Sequence, residues 1–293
     1  MKNLGYNLSL AVSVLLSLFA CNKVETASDG TVTVNYIMSV PQTKASQADV
    51  NYVWYAQYKH DTEELVKVYP PVALSSGSAV CPVTMVRDQS YKVVFIAQHY
   101  QADGETLKPA YTIDAATSVV SMPVQAVANS GAYDLFAFVD EVNNYQGGDT
   151  KPVTLERLAA QINFYCNSAD WSSAASLNMT PTASAVKLEG VPQSYDVLAG
   201  QPSAQTRTVD FAKADLTGET NLLGTATSLV SGNITKATLT LYKDSAVTTV
   251  LEVDNVPAEI NYKTNVTGTI MTGIVDYKVE LDTESEVENH PLS

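Results

Sequence analysis

The chain has 293 residues, 45% of them hydrophobic, and carries 17 lysines and arginines against 31 aspartates and glutamates, a formal charge of -14 at pH 7. The lysines are scattered rather than clustered, so the electrostatics that drive nucleic-acid binding are absent and an anionic lipid surface offers no attraction. Three cysteines are too few for a disulfide scaffold. His60, His99 and His290 have no metal-site spacing, and neither a Gly-x-Ser-x-Gly elbow nor a glycine-rich phosphate loop occurs, so a non-enzymatic protein without metal or cofactor is expected.

In chain order, the first feature is a single positive charge at Lys2 followed by an apolar run over residues 8–19 that closes on Ala20-Cys21. The run is short for a membrane span, and a small residue before a cysteine is where a lipoprotein signal peptide is cut. Residues 1–20 therefore read as the leader, with Cys21 carrying the lipid and acyl chains as the membrane attachment. Removing Lys2 takes the exported chain from -14 to -15. About 270 exported residues suit two ordinary domains.

Residues 31–40 alternate regularly, with Val32, Val34, Tyr36, Met38 and Val40 on one side and Thr31, Thr33, Asn35, Ile37 and Ser39 on the other. That is the period of a half-buried strand. Residues 41–47 read as an exposed linker, and residues 51–58 as a strand rich in tyrosine and tryptophan. On that strand Tyr52, Trp54 and Tyr58 share a face, which either stacks on a sugar ring or packs across strands, packing being the simpler reading. An apolar strand follows at 91–99, a turn at 102–105, and a short strand ending in proline at 118–123.

Turn formers crowd residues 143–152, which places a domain boundary there and gives an N-terminal domain over 21–150 and a C-terminal one over 151–293. Asp140, Glu141 and Asp149 lack the spacing of a calcium loop and read as a solvated turn. Beyond the boundary, residues 153–165 resume an apolar pattern, and 235–242 and 247–253 form a strand pair around 243–246. Val275, Tyr277, Val279 and Leu281 then alternate with Asp276, Lys278, Glu280 and Asp282, mirroring the first strand. No segment sustains helical periodicity for three turns, so the fold class is all-β: two tandem antiparallel β-sandwiches with short helical turns. Cys81 and Cys166 fall in different domains and read as buried small hydrophobes, a bridge between them being the alternative.

Five segments taken together resemble the fimbrillin-like lipoproteins, the pilus subunits of Bacteroides-type bacteria. They are the leader ending at Cys21, Tyr91-Lys92-Val93-Val94-Phe95-Ile96-Ala97-Gln98, Tyr133-Asp134-Leu135-Phe136-Ala137-Phe138, residues 153–164 (VTLERLAAQINF) and residues 256–268 (VPAEINYKTNVTG). The resemblance spans almost the whole exported chain and implies transthyretin-like sandwiches, an outer-membrane lipoprotein at the cell surface, and assembly with other fimbrial subunits by strand exchange. It also implies proteolytic maturation after a basic residue that follows the first strand. Here that residue is Lys44, leaving Ala45 as the new N-terminus. The family commonly cuts at arginine, and the first arginine of this chain is Arg87, so a lysine-tolerant protease is required.

On the same resemblance the removable strand is residues 31–40, its groove-filling side chains are Val32, Val34, Tyr36, Met38 and Val40, and adhesion to a host or bacterial surface ligand is the outcome. Val275, Tyr277, Val279 and Leu281 form either a donor strand or a permanent core strand. Asp244-Ser245-Ala246 fits a three-residue O-glycan attachment pattern of related bacteria, at a place that reads as a hairpin turn. The alternative function is a glycan-binding lipoprotein of an outer-membrane uptake system, with Tyr52, Trp54 and Tyr58 as its platform.

Overall fold

The computed structural model describes residues 30–41, 49–104, 106–148, 150–219, 221–229 and 232–282. In chain order the strands are β1 (Thr31–Ser39), β2 (Tyr52–Lys59), β3 (Leu65–Ala73), β4 (Ser78–Val86), β5 (Tyr91–Gln98), β6 (Tyr100–Asp103), β7 (Thr106–Pro109), β8 (Thr112–Asp114), β9 (Val119–Ser121), β10 (Gln125–Val127) and β11 (Leu135–Val142). They continue as β12 (Thr150–Thr154), β13 (Glu156–Arg157), β14 (Ala159–Cys166), then helix α1 (Ser168–Ser176), then β15 (Ala183–Pro192), β16 (Ser194–Asp196), β17 (Gln201–Pro202) and β18 (Thr206–Asp215). The last are β19 (Leu222–Leu229), β20 (Gly232–Lys243), β21 (Ala246–Ala258), β22 (Lys263–Thr269) and β23 (Asp276–Leu281).

The architecture is the all-β sandwich that the alternation predicts. In one sandwich a three-stranded sheet of order β12-β1-β4 packs on a five-stranded sheet of order β13-β11-β5-β2-β3; the other pairs β10-β18-β15-β20-β21 with β19-β14-β22-β23. The turn-rich run at 143–152 joins β11 to β12, and both of these strands lie in the first sandwich. From β11 onward the chain stays in the first sandwich through β13 and passes to the second at Leu158, because residues 150–154 pair in parallel with β1. In the other direction β10 pairs in parallel with β18 and β9 antiparallel with β16, so the two halves are stitched together by strands as well as by packing.

The central strands β2 and β5 of the five-stranded sheet are buried on both faces. Val53, Tyr55, Val93, Phe95 and Ala97 point into the first sandwich, while Trp54, Ala56, Tyr58, Val94 and Ile96 join the cluster that includes Tyr111, Val120, Met122 and the core of the second. This explains why residues 91–98 read as an unbroken apolar run: a strand covered on both sides has no solvent face to alternate with.

Two buried polar groups hold the junctions. Arg157, with a fully buried side chain, donates from Nε to Asp134 Oδ1 at 2.7 Å and brings Nη2 to the same oxygen at 2.5 Å where the chain changes sandwich. At α1, Asn167 caps the helix through Asp170 N, and the Asp170 carboxylate in turn accepts from Ile270 N, Met271 N, Thr272 N and the Thr272 hydroxyl at 2.6–2.8 Å. It thereby pins the loop between β22 and β23. Burial alone would raise the Asp170 pKa, but the Thr272 hydroxyl and the three backbone N–H groups together hold it below the ordinary carboxylate value.

A depressed carboxyl contributes stability that is fully present above its unfolded value, near pH 4, and is lost as pH falls through the folded value. Asp170→Asn should therefore cost about 1.5–3 kcal/mol at pH 7. The gap from the parent protein should narrow below about pH 4 when urea midpoints are followed from pH 7 to pH 2. A gap independent of pH would assign the effect to packing instead.

Candidate functional site

The site is the slot that β1 fills. β4 runs antiparallel on one side over the whole strand, from Thr31 opposite Val86 to Ser39 opposite Ser78. On the other side β12 runs parallel, from Asn35 opposite Thr150 to Ser39 opposite Thr154. β4 and β12 do not pair with each other, and β1 is the middle strand of their sheet.

Val32, Val34, Tyr36, Met38 and Val40 are each 7% exposed or less and enter one cluster with Tyr55, Val83, Met85, Phe95 and Leu155. The Tyr36 ring lies 4.8 Å from that of Phe95. Its hydroxyl donates to Asp140 Oδ2 at 2.7 Å, and Lys151 Nζ donates to Asp140 Oδ1 at 2.5 Å. Tyr36 and Lys151 sit opposite each other in the β1–β12 register, so one carboxylate on β11 ties together both strands of that rung. Burial raises the Tyr36 pKa strongly, and its hydrogen bond to Asp140 and the Asp140 charge add to the shift, so the hydroxyl stays a donor at any ordinary pH.

Asp140 and Glu141 therefore do not form the solvated turn that the sequence suggests. Both lie in β11, Asp140 inside this network and Glu141 exposed beside Lys92 at 3.6 Å, while Asp149 lies outside the described residues. Among the described residues no group of three or more His, Cys, Asp or Glu is placed to hold a metal ion.

The free edge of β4 is closed by tyrosines from the facing sheet. Tyr55 and Tyr69 donate their hydroxyls to Pro82 O and Thr84 O, each at 3.4 Å, while Thr84 N and Val86 N donate to the Tyr69 and Tyr91 hydroxyls at 3.1 and 3.3 Å. Groups that an added strand would pair with are thus already engaged.

β23 is the opposite case. It is an edge strand paired only with β22, and Val275 is 48% exposed, Tyr277 37% exposed, and Val279 and Leu281 half-buried. Beyond the ladder, the Tyr277 hydroxyl reaches only Glu252 O, at 3.4 Å. Gly268 is what lets β22 and β23 close together, since a Cβ there would run into the Asp276 carbonyl. The expectation of a permanent core strand does not describe this placement.

The sugar-stacking platform is absent. Tyr52 is half-buried, Trp54 is 8% exposed and Tyr58 fully buried, its hydroxyl donating to Ala115 O at 2.8 Å. The crossing segment between β8 and β10 covers that face. Cys81 and Cys166 are unbonded and buried in separate clusters, with burial pushing their thiols up to about 12 and about 11. Ser245 is exposed in the two-residue turn of the β20–β21 hairpin. Cys21, Lys44, Ala45 and residues 283–293 lie outside the described residues. The sequence assigns no role to Lys151, Asp134 or Arg157 and places Asp140 in a turn; the available signal was a charge inside an apolar strand, as Asp140 is in LFAFVDEV.

This is a double β-sandwich whose first sheet is completed by a strand from the N-terminal end of the described chain. The chain belongs to a family of unknown function, DUF6562, whose model matches residues 21–290. No curated protein matches the sequence. In fold it is similar to a Bacteroides uniformis protein described as a candidate cell adhesion protein, with 12% identity, a TM-score of 0.52, and coverage of 89% of this chain and 100% of that one. Weaker likenesses are to the tip fimbrial protein Mfa3 of Porphyromonas gingivalis (11% identity, TM-score 0.49, 86% and 98% covered) and to a fimbrial assembly protein of Parabacteroides distasonis (12%, 0.44, 86% and 99%).

Tyr36→Phe keeps the ring and removes the hydroxyl, leaving a buried carboxylate short of one donor. The expected loss is about 1.5–3 kcal/mol by urea unfolding at neutral pH; an unchanged midpoint would mean that Asp140 does not depend on β1.

Proposed function

We propose that this protein is a non-enzymatic, lipid-modified subunit or anchor of a cell-surface fimbria that assembles by strand complementation and supports adhesion. One observation carries the reading: β1 is a middle strand with every alternate side chain buried, and the sequence between it and β2 holds Lys44. The double-sandwich likeness to the candidate adhesion protein supports it, and so does the resemblance to fimbrillin-like lipoproteins.

Cys21 carries the lipid, and cleavage between Lys44 and Ala45 frees residues 31–40. Without them, β4 and β12 present unpaired backbone along an apolar trough, and a strand of another subunit satisfies both. Re-burying five apolar side chains is worth on the order of 10 kcal/mol before entropic costs. Because tyrosine hydroxyls occupy the outer edge of β4, the trough is the open place for an incoming strand. An uncut chain keeps its own strand and serves as the anchor. The two sandwiches then act as the N-terminal and C-terminal domains, with strands traded across the junction. Glycan capture loses support, since its aromatic platform is buried.

Mass spectrometry of the protein recovered from the native cell surface tests this. A start at Ala45 in assembled material is the expected result for a shaft subunit, and a lipidated Cys21 within fibres for an anchor. A lipidated Cys21 with no fibre at all would remove the proposal.

A further inference from the structure

The carboxylate of Asp140 does more than stabilise β1: it is a chemical mark in the floor of the slot. A strand lying there with a hydrogen-bond donor at the position of Tyr36 satisfies Asp140. A strand with an apolar group there leaves a buried carboxylate with Lys151 alone, a penalty of the kind that discriminates strongly between registers.

Among the described edge strands, β23 alone has an accessible tyrosine on an apolar face. Its sequence V-D-Y-K-V-E-L at 275–281 lies over V-N-Y-I-M-S-V at 34–40 without a gap. Val275 falls on Val34, Tyr277 on Tyr36, Val279 on Met38 and Leu281 on Val40. Gly273 falls on Val32, so one end of the trough stays unfilled. The other edges do not match: β3 carries Pro70 and Pro71 and buries Tyr69, and β19 and β21 have no tyrosine. In its own subunit β23 is held on one side only and leaves Tyr277 and Val275 partly in water, whereas the matching β1 positions are nearly dry. Moving from the first setting to the second buries more apolar surface on the same strand.

We propose that the β1 slot is read by the β23 strand of a second copy of this chain, with Tyr277 donating to Asp140 and so fixing the register. The inference rests on the strand-complementation reading, takes 275–281 as the donor strand of a second copy, and adds the register and the residue pair that fixes it. Any two-residue slip places Val275 or Val279 against the carboxylate. In the tyrosine register Lys278 takes the place of Ile37, which lies opposite Val80 on β4, and Val80 is itself half exposed.

The test uses the full exported chain with Cys21→Ser and a site-specific protease sequence at Lys44, cut after folding. Three cysteine pairs are compared for cross-linking between copies: Val80→Cys with Lys278→Cys, with Asp276→Cys, and with Glu280→Cys. Cys81, which lies opposite Tyr36 and lines the slot once β1 leaves, and Cys166 are changed to alanine in every chain, so that only the introduced pairs react. The expected result is a ladder of oligomers cross-linked through the Lys278 pair only, and a fall in oligomer yield of about 10-fold or more on Tyr277→Phe. The uncut monomer should keep its stability in that variant. A ladder cross-linked through another pair, or one indifferent to Tyr277→Phe, overturns the register while leaving strand exchange standing. No ladder from the cut parent chain removes strand exchange and this inference with it.

Discussion

The constraint on which the first sandwich depends is the seating of β1 between two strands that do not pair with each other. A parallel neighbour such as β12 cannot be reached by a tight hairpin, and it is supplied by residues more than a hundred positions away in sequence. The antiparallel neighbour β4 comes from residues 78–86. One strand near the start of the chain thus closes a sheet built from two distant segments, and the buried column Val32, Val34, Tyr36, Met38 and Val40 is what the facing sheet packs on.

The remainder of the molecule does not share this dependence. The β13-β11-β5-β2-β3 sheet is covered on its other face by the crossing segment and the second sandwich, and the Arg157–Asp134 pair locks the place where the chain passes between them. Breaking such a pair from one side costs about 3–5 kcal/mol, because the surviving charge is left buried. β9 and β10 pair with strands of the second half, which spreads the framework over both sandwiches. The body therefore has its own core, and β1 adds a cover to one side of it.

Much of this was legible in the residues. The strict alternation of 31–40 and of 275–281 marks two strands with one apolar face, and the hairpin around Asp244 and Ser245 follows from flanking alternation. What alternation does not reveal is what covers a face. Tyr52, Trp54 and Tyr58 share one side of β2, but whether that side meets sugar, solvent or protein is decided by residues 111–128, which are far away in sequence. The turn formers at 143–152 announce a loop without saying which sheet the next strand joins, and parallel pairing of β12 with β1 carried that choice. β3 was hidden by its two prolines, tolerable because it is an edge strand, and β18 by threonines that occupy strand positions. Asp140 looked like loop chemistry beside Glu141 and proved to be the polar floor of the slot.

The most direct test of the account is whether β1 can leave the fold and be replaced while the rest stands. The chain would be cut at Lys44, mixed with an isotopically labelled peptide of residues 30–41, and followed by native mass spectrometry alongside circular dichroism. The account predicts that the labelled peptide enters in place of the native strand and that the sheet signal persists. Unfolding of the body as the strand departs, or a labelled peptide that never enters, would contradict it.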